Sequence, residues 1–329
     1  MTDAVLKNVS AFNSDPVLHA TWLYYQEGLS QTEVAKLMGI SRVTVVKYLQ
    51  TAREKGLVQI SLDLNTFCSI ETSLLIKDKF NLERVIIVPD GEHAEQREDS
   101  KLMRERLARA GGMYLNQVVE DSDVLGVAWG RTIHQMSHLM TPKSCKDVTV
   151  MQMLGSMPAQ PDFTTIESSS QLAHRLSGRV ISLHVPAVVS SSRLAMELQA
   201  EPIIRANFDA LTRCNKALFV VGNALEENPL IRVGVLSKKE MQNYRELGAV
   251  GVICGRFYDK FGQPVVAEID LRILGISLAQ LRQVERRIFL AGGKRNYEAT
   301  LGAILGGYVS DLIIDEGTAE FLATVDVPK

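Results

Sequence analysis

Residues 28–58 read GLSQTEVAKLMGISRVTVVKYLQTAREKGLV, a helical pattern that a glycine interrupts once. Before the glycine, apolar residues recur at helical spacing, and Ser30 stands three residues ahead of Glu33, which is the signature of a capping box. After the glycine, Ser41 is placed to cap a second helix. Gly39 then serves as the left-handed turn residue between the two helices. The stretch therefore predicts a helix-turn-helix.

The second of these helices has the charge pattern of a DNA-reading helix. Residues 41–56 hold four Lys or Arg against the single acidic residue Glu54, on a chain whose formal net charge is −2. A local basic stripe on a near-neutral protein favours one nucleic-acid face, although a helical hairpin inside an ordinary core is the alternative. We predict that the DNA contacts come from Gln31, Thr32, Ser41, Arg42, Val43, Thr44 and Lys47, and that the start of the second helix, from Ser41 onward, lies in the major groove.

Length and composition indicate the class of protein and the number of domains. A chain of 329 residues with 46% hydrophobic and 22% charged residues is typical of a two-domain soluble protein. No apolar run approaches the roughly 18 residues of a membrane span, so we expect a cytoplasmic protein without a membrane partner. We predict a DNA-binding domain over 1–62, ending in a wing strand at GLVQISL, and an effector-binding and oligomerisation domain over 63–329.

Cysteine and histidine spacings give little indication of metal chemistry. The four cysteines lie far apart with no CxxC pair, so we expect reduced thiols rather than disulfides or a zinc site. His134 and His138 are four residues apart, a spacing that can chelate a metal from one helix face. Because that segment has no nearby Cys or carboxylate, we interpret the pair as surface or packing residues and predict no metal and no cofactor.

From residue 84 onward, short β-branched runs alternate with helical patterns. The runs are RVIIVP, SDVLGVAW, DVTVMQML, RVISLHVPA, KALFVVGN, AVGVIC, RRIFLAGG and DLIIDE. Runs that are apolar on both faces are typical of buried parallel strands. The fold class is therefore predicted to be α/β, with an N-terminal winged helix-turn-helix domain and a doubly wound, mainly parallel-sheet effector domain.

Two glycine-bearing turns follow strands of this sheet, where ligands of open α/β sheets bind. GVAWGRTI places Gly130, Arg131 and Thr132 at a helix start, and FLAGGKRNYEATLGAILGG places Gly292 and Gly293 at another. Free backbone N–H groups at such a start suit a phosphate or sugar hydroxyls. Each turn is also explained by steric need for glycine alone. MQMLGS and VVGNAL add polar residues at further strand ends.

Motifs of catalysis are missing from the sequence. It contains no GxSxG elbow, HExxH, P-loop or GxGxxG pattern. Asp315, Glu316 and His184 are the obvious acid/base candidates, but they lie on scattered strands, and acidic residues at a strand end are commonly solvated or cap a helix. We therefore expect that the protein is not an enzyme.

The order of the motifs resembles the SorC family of bacterial sugar-responsive transcriptional regulators. The helix-turn-helix, GVAWGRTI, GVLSKKEM, LGAVGVICGRFYDKFGQPV and the long segment that begins FLAGGKRN carry this resemblance over nearly the whole chain. It implies an effector domain similar to glucosamine-6-phosphate deaminase and ribose-5-phosphate isomerase, and a tetramer. It also implies control of an operon for carbohydrate or polyol use by a phosphorylated sugar, a free sugar or a polyol.

The resemblance also implies where the effector binds. The expected contacts, including polar residues at neighbouring strand ends, are Gly130, Arg131, Thr132, Gln152, Gly222, Asn223, Val252, Cys254, Gly292, Gly293, Lys294 and Asn296. Two of these positions depart from the family pattern, because Val252 stands where an acidic residue is common and Asn296 where a lysine is common. The changes are compatible with an effector that has fewer hydroxyls, with an unphosphorylated one, or with a pose that uses Lys294 or Arg131.

The leading hypothesis is a regulator whose effector changes its affinity for operator DNA, as repressor or activator. Its partners are operator DNA, the effector and further copies of the chain. The alternative is a sugar-phosphate isomerase or deaminase with an attached DNA-binding module. A helix-turn-helix that contacts only protein would leave Arg42 and Lys47 without a role.

Overall fold

The structure is a computed structural model. It describes residues 15–58, 71–89, 101–157, 165–225 and 228–327. The chain separates into two compact units, Met1–Leu62 and Asp63–Lys329. Most of the expected wing strand, at 59–62, and Cys68 lie outside the described residues.

The smaller unit has three described helices, α1 (Pro16–Tyr25), α2 (Gln31–Met38) and α3 (Arg42–Glu54). The larger unit has the described helices α4 (Glu71–Phe80), α5 (Lys101–Val118), α6 (Arg131–Leu139), α7 (Thr165–Arg175), α8 (Ser192–Ala200), α9 (Pro202–Leu211), α10 (Pro229–Arg232), α11 (Lys238–Glu246), α12 (Leu278–Gln283), α13 (Tyr297–Leu305) and α14 (Glu316–Thr324). Its described strands are β1 (Arg84–Val88), β2 (Val124–Val127), β3 (Thr149–Gln152), β4 (Arg179–Ile181), β5 (Lys216–Val220), β6 (Gly222–Asn223), β7 (Ala249–Ile253), β8 (Arg256–Asp259), β9 (Pro264–Val265), β10 (Arg286–Ala291) and β11 (Asp311–Asp315).

Three helices form the core of the smaller unit. The buried members of that core are Ala20, Leu23, Val34, Ala35, Val45 and Leu49. Trp22, in the middle of α1, does not belong to this core and is 41% exposed. Each residue of a helix is rotated by about 100° from the one before it, so Trp22 turns away from the face that carries Ala20 and Leu23.

The local signals of the helix-turn-helix are confirmed. The Ser30 hydroxyl accepts the Glu33 N–H at 3.3 Å, and the Glu33 carboxylate accepts the Ser30 N–H at 2.8 Å. These hydrogen bonds lower the pKa of Glu33. Gly39 ends α2 in the left-handed region, with φ 67°. The Ser41 hydroxyl caps α3 by accepting the Thr44 N–H at 3.1 Å. A capping box, a left-handed turn and a second cap therefore set the two helices as predicted.

A seven-stranded parallel sheet forms the centre of the larger unit, in the order β1-β11-β10-β5-β2-β3-β4. The chain runs outward from β2 to β4, returns to β5 on the other side of β2, and continues to β10 and β11. Every residue of β11 is buried, including the aspartates at its two ends. The predicted mainly parallel α/β fold is confirmed.

A second, antiparallel sheet in the order β6-β7-β8-β9 corrects one prediction. The run AVGVIC was expected to be a parallel strand, but β7 pairs antiparallel with β8. Cys254 and Gly255 join the two strands, and both have positive φ, at 49° and 77°. A two-residue turn with positive φ at both positions is the preferred connection of a β-hairpin, so this dipeptide decides the strand direction.

The run RVISLHVPA also differs from its prediction as a buried strand. Only Arg179–Ile181 is a strand, and it lies at the end of the sheet order, paired with β3 alone. Val180 is 40% exposed there. Because an edge strand has a neighbour on one side only, its apolar residues are not enclosed as those of a central strand are.

Candidate functional site

The candidate nucleic-acid surface of the smaller unit lies on α3 and the start of α2. Among the residues predicted to contact DNA, Thr32, Ser41, Arg42, Val43 and Lys47 are exposed, and Gln31 and Thr44 are half-buried. Val43 is an apolar side chain left 67% exposed, which suits contact with a thymine methyl group. The opposite face of α3, with Val45, Leu49 and Ala52, is buried in the core.

A hydrogen bond links the two helices at this surface. Arg42 Nε donates to Gln31 Oε1 at 3.3 Å, and the hydroxyls of Ser41 and Thr44 lie 2.8 Å apart. A guanidinium carries five N–H donors, of which this bond uses one. The arrangement therefore orients the Arg42 side chain at the start of α3 while further donors can reach a base edge or a phosphate.

A cavity of about 400 Å³ opens in the larger unit at the carboxyl ends of β2, β5 and β10. Its walls include the segments 128–132, 220–223 and 290–293, which end or directly follow those three strands. β2 and β5 are neighbours at the point where the order of the strands reverses, which is where ligands of open α/β sheets bind. The volume is in the range of small-molecule sites.

The turn between β2 and α6 brings the main chain at Gly130 close to the side chain of Val220 at the cavity. A Cβ atom on Gly130 would lie 2.6 Å from Val220 Cγ2 at the end of β5, so only glycine allows this approach. Gly130 also precedes α6 and provides no side-chain cap for it. The first N–H groups of a helix lack intrahelical partners, so the Arg131 and Thr132 end of α6 presents donors and a positive dipole to the cavity.

The double-glycine turn after β10 is held by a buried carboxylate. The Gly293 N–H donates to Asp315 Oδ2 at 2.9 Å, and Asp315 Oδ1 accepts the Thr318 N–H at 3.0 Å at the start of α14. Asp315 is 2% exposed. The expectation of free N–H groups is therefore wrong at Gly293. Through these two contacts Asp315 caps α14 and holds the double-glycine turn in place.

Three asparagines connect the walls of the cavity. Asn296 Nδ2 donates to the Gly292 carbonyl at 2.8 Å, and Asn296 Oδ1 accepts from Asn223 Nδ2 at 3.0 Å. Asn228 Nδ2 donates in turn to the Asn223 carbonyl. A lysine at position 296 has no acceptor and would leave the Asn223 amide unpaired. The departure from the family pattern at Asn296 thus has a structural reason, since its amide joins β6 to the turn that follows β10.

The charge of the cavity comes from arginine. Arg104 of α5, Arg131 of α6, Arg232 of α10 and Arg295 of the double-glycine turn all line it. No Asp or Glu is among the described lining residues. A cleft lined by charges of one sign concentrates ions of the other sign.

Most of the predicted effector residues meet at this cavity. The lining includes Gly130, Arg131, Thr132, Gly222, Asn223, Val252, Cys254, Gly292, Gly293 and Asn296. Gln152 and Lys294 are not part of it. The sequence analysis did not select Arg104, Arg232 or Arg295 as contacts, although Arg295 directly follows the double-glycine motif. No motif marks Arg104 or Arg232, which the fold brings to the cavity from distant helices.

Gln152 and Cys254 have unusual environments. Gln152, at the end of β3, is 2% exposed, and in the described part of the chain neither of its amide atoms has a hydrogen-bond partner. A buried polar group without a partner costs about 1–3 kcal/mol. Burial raises the pKa of the Cys254 thiol to about 12. That thiol is therefore protonated at neutral pH and is not a nucleophile there.

Known proteins similar to this chain are transcriptional regulators. The family model Sugar-bind, a sugar-binding domain, matches residues 65–324. The chain is 79% identical over 321 residues to the transcriptional regulator YjhU of Escherichia coli strain K12, covering 98% of each protein. It is 33% identical over 313 residues to the deoxyribonucleoside regulator of Bacillus subtilis strain 168, covering 93% of this chain and 96% of the relative.

The fold has a counterpart among solved structures. The full-length sorbitol operon regulator SorC of Klebsiella pneumoniae matches 98% of this chain and 100% of its own with a TM-score of 0.75 at 22% identity. No helix in the described part of the chain is long and apolar enough to cross a membrane. The chain thus belongs to the SorC family of transcriptional regulators, and its helix-turn-helix precedes its sugar-binding domain in the sequence.

Proposed function

We propose that this regulator controls an operon for the use of a carbohydrate or polyol, and that an anionic carbohydrate in the cavity changes its affinity for operator DNA. The observation that carries the proposal is the set of four arginines in a cavity whose described lining holds no Asp or Glu. Relatives named as a sorbitol operon regulator and a deoxyribonucleoside regulator support the class of operon.

Arginine favours a phosphorylated effector over a neutral one. A guanidinium binds phosphate through two parallel N–H bonds, and such charge-assisted bonds are about twice as strong as neutral ones. The N-terminal end of α6, at Gly130, adds N–H donors and the helix dipole. Val252, which replaces an acidic residue of the family pattern, contributes no acceptor for sugar hydroxyls, so the balance of contacts favours the anionic group.

We also propose that the cavity binds its ligand without turning it over. The titratable groups in its described lining are the four arginines and Cys254, whose raised pKa keeps it neutral. Proton transfer to and from a sugar needs an acid/base pair within hydrogen-bond reach. The three candidates from the sequence, Asp315, Glu316 and His184, are not among the described lining residues.

The DNA-binding form is proposed to be a homo-oligomer, and the family resemblance favours a tetramer. A helix-turn-helix dimer reads two half-sites about 34 Å apart, because protein symmetry must match the DNA repeat. Large apolar side chains on the larger unit are exposed, among them Met196 at 65% and Ile203 at 76%. Exposed apolar residues of neighbouring helices are suited to a contact between subunits.

A thermal-shift screen tests the effector proposal. The full chain is melted with sugars and polyols and with the phosphate ester of each. Binding to the folded state raises the melting temperature in proportion to the logarithm of ligand over Kd, so the esters should give the larger shifts. A screen in which unphosphorylated compounds give the larger shifts would reject an anionic effector. Turnover of any ester in the same panel would reject the non-catalytic assignment.

A further inference from the structure

Three side chains that can ligate a metal meet where α6 packs against α7. His134 and His138 lie one turn apart on α6, and Glu167 lies in the first turn of α7. Their ligand atoms all lie within 4.8 Å of one another. We propose that these three residues, the His134 cluster, bind a divalent transition-metal ion, Zn²⁺ being the physiological candidate, and that the ion joins the two helices.

The distances are close to those of a zinc site. Zn–N and Zn–O bonds of about 2.0–2.2 Å in a tetrahedron place the ligand atoms about 3.3–3.6 Å apart. His138 Nε2 and Glu167 Oε1 already lie 3.6 Å apart. These two side chains are 41% and 46% exposed, so they can move by the further ångström or so that closes the largest separation. The site therefore needs side-chain adjustment but no change of backbone.

Neighbouring residues orient the two imidazoles. The buried residues Ile133, Met136 and Ser137 fix which face of α6 is turned to the core. The two rings stand edge to face, with centroids 4.6 Å apart. The hydroxyl of the buried Ser168 lies 3.4 Å from His134 Nδ1. A hydrogen bond at one ring nitrogen commonly orients a metal-binding histidine, so this contact leaves Nε2 as the nitrogen of His134 that would bind the ion.

The donor set selects the class of metal. Two imidazoles and one carboxylate, with water in the fourth position, are a common zinc arrangement, and Ni²⁺ and Cu²⁺ also bind such ligands. Ca²⁺ and Mg²⁺ prefer all-oxygen sites. The sequence analysis set the histidine pair aside because no carboxylate lies near it in the chain. The fold supplies that carboxylate from the next helix, as Glu167.

Zinc titration of the full chain, after removal of metals with a chelator, tests the site. We expect the wild type to bind about one Zn²⁺ per chain and to gain thermal stability. His134→Ala, His138→Ala and Glu167→Gln should each weaken binding at least about 10-fold, because loss even of an outer-shell partner costs 10–100-fold. His174→Ala is the matched control, since His174 is an exposed histidine on α7 outside the cluster, and it should bind as the wild type does.

Three outcomes would overturn the metal site itself. They are a wild type that binds no Zn²⁺ at millimolar concentration, histidine variants that bind as tightly as the wild type, and a control that loses binding equally. Full affinity in Glu167→Gln would limit the ligands to α6 and overturn the link between helices. Far-UV circular dichroism of metal-free samples checks that each variant is folded. If an alanine variant is not folded, His138→Gln is titrated in its place.

Discussion

Replacing Asp315 by asparagine should keep one of the two hydrogen bonds that this carboxylate accepts and remove the other. An asparagine oxygen can still cap α14 by accepting the Thr318 N–H. Its NH₂ group, however, faces the Gly293 N–H, which in the native protein donates to Asp315 Oδ2 at 2.9 Å. Loss of a hydrogen bond to a buried charged acceptor should lower the free energy of unfolding by about 1.5–3 kcal/mol. Asp315→Ala also loses the cap, worth about 0.5–2 kcal/mol, for a total of about 2–5 kcal/mol.

Urea unfolding followed by circular dichroism measures both losses. Glu298→Gln, which neutralises an exposed carboxylate in the first turn of α13, is the control and should change stability by less than about 0.5 kcal/mol. Because Gly293 lines the cavity, Asp315→Asn should also reduce the thermal shift caused by the effector. If Asp315→Asn were as stable as the wild type and responded fully to effector, the carboxylate would not be what fixes this turn.

Lys47→Ala should weaken operator binding and reduce its salt slope by about one unit, as measured by fluorescence anisotropy at several salt concentrations; an unchanged slope would exclude a phosphate contact. Gly130→Ala puts a Cβ atom 2.6 Å from Val220 Cγ2, so chemical denaturation should show a loss of about 1–3 kcal/mol that Val220→Ala partly restores. Burial raises the pKa of Asp123, but hydrogen bonds, one of them from Lys216, outweigh this and lower it. A carboxyl whose pKa is lowered on folding stabilises the folded state above its unfolded pKa of about 3.9, and this stabilisation is lost as the pH falls through the folded pKa. Asp123→Asn should therefore be less stable than the wild type at neutral pH and should lose less stability than the wild type when the pH is lowered.

Features with local causes could be predicted from the sequence. Ser30, Gly39 and Ser41 act on residues within one helical turn, and the structure has the caps and the turn where the sequence indicates them. The long apolar runs became the strands of the parallel sheet because burial on both faces requires apolar residues throughout. The hairpin at Cys254 and Gly255 was also a local signal, and it was missed because the apolar run before it was interpreted as another parallel strand.

Features that depend on distant segments could not be predicted in the same way. Arg104 and Arg232 come to the cavity on helices that carry no recognisable motif, so their contribution to its charge follows only from the fold. Asp315 was recognised as an acidic residue at a strand end, but its bond to Gly293 depends on two strands that are neighbours only in space. Glu167 reaches the histidine pair for the same reason.

Operator affinity in the presence of each sugar phosphate and of its unphosphorylated counterpart tests the proposed control most directly. We predict that one phosphorylated compound changes the affinity of the full chain by about 5- to 150-fold, the usual range of coupling between two sites. Its unphosphorylated counterpart should leave the affinity unchanged. Gly293→Glu, which places a negative charge at the cavity, should abolish the response while binding of DNA without effector stays near the wild-type value. A neutral sugar that acts as strongly, or a normal response in Gly293→Glu, would contradict control by an anion in this cavity.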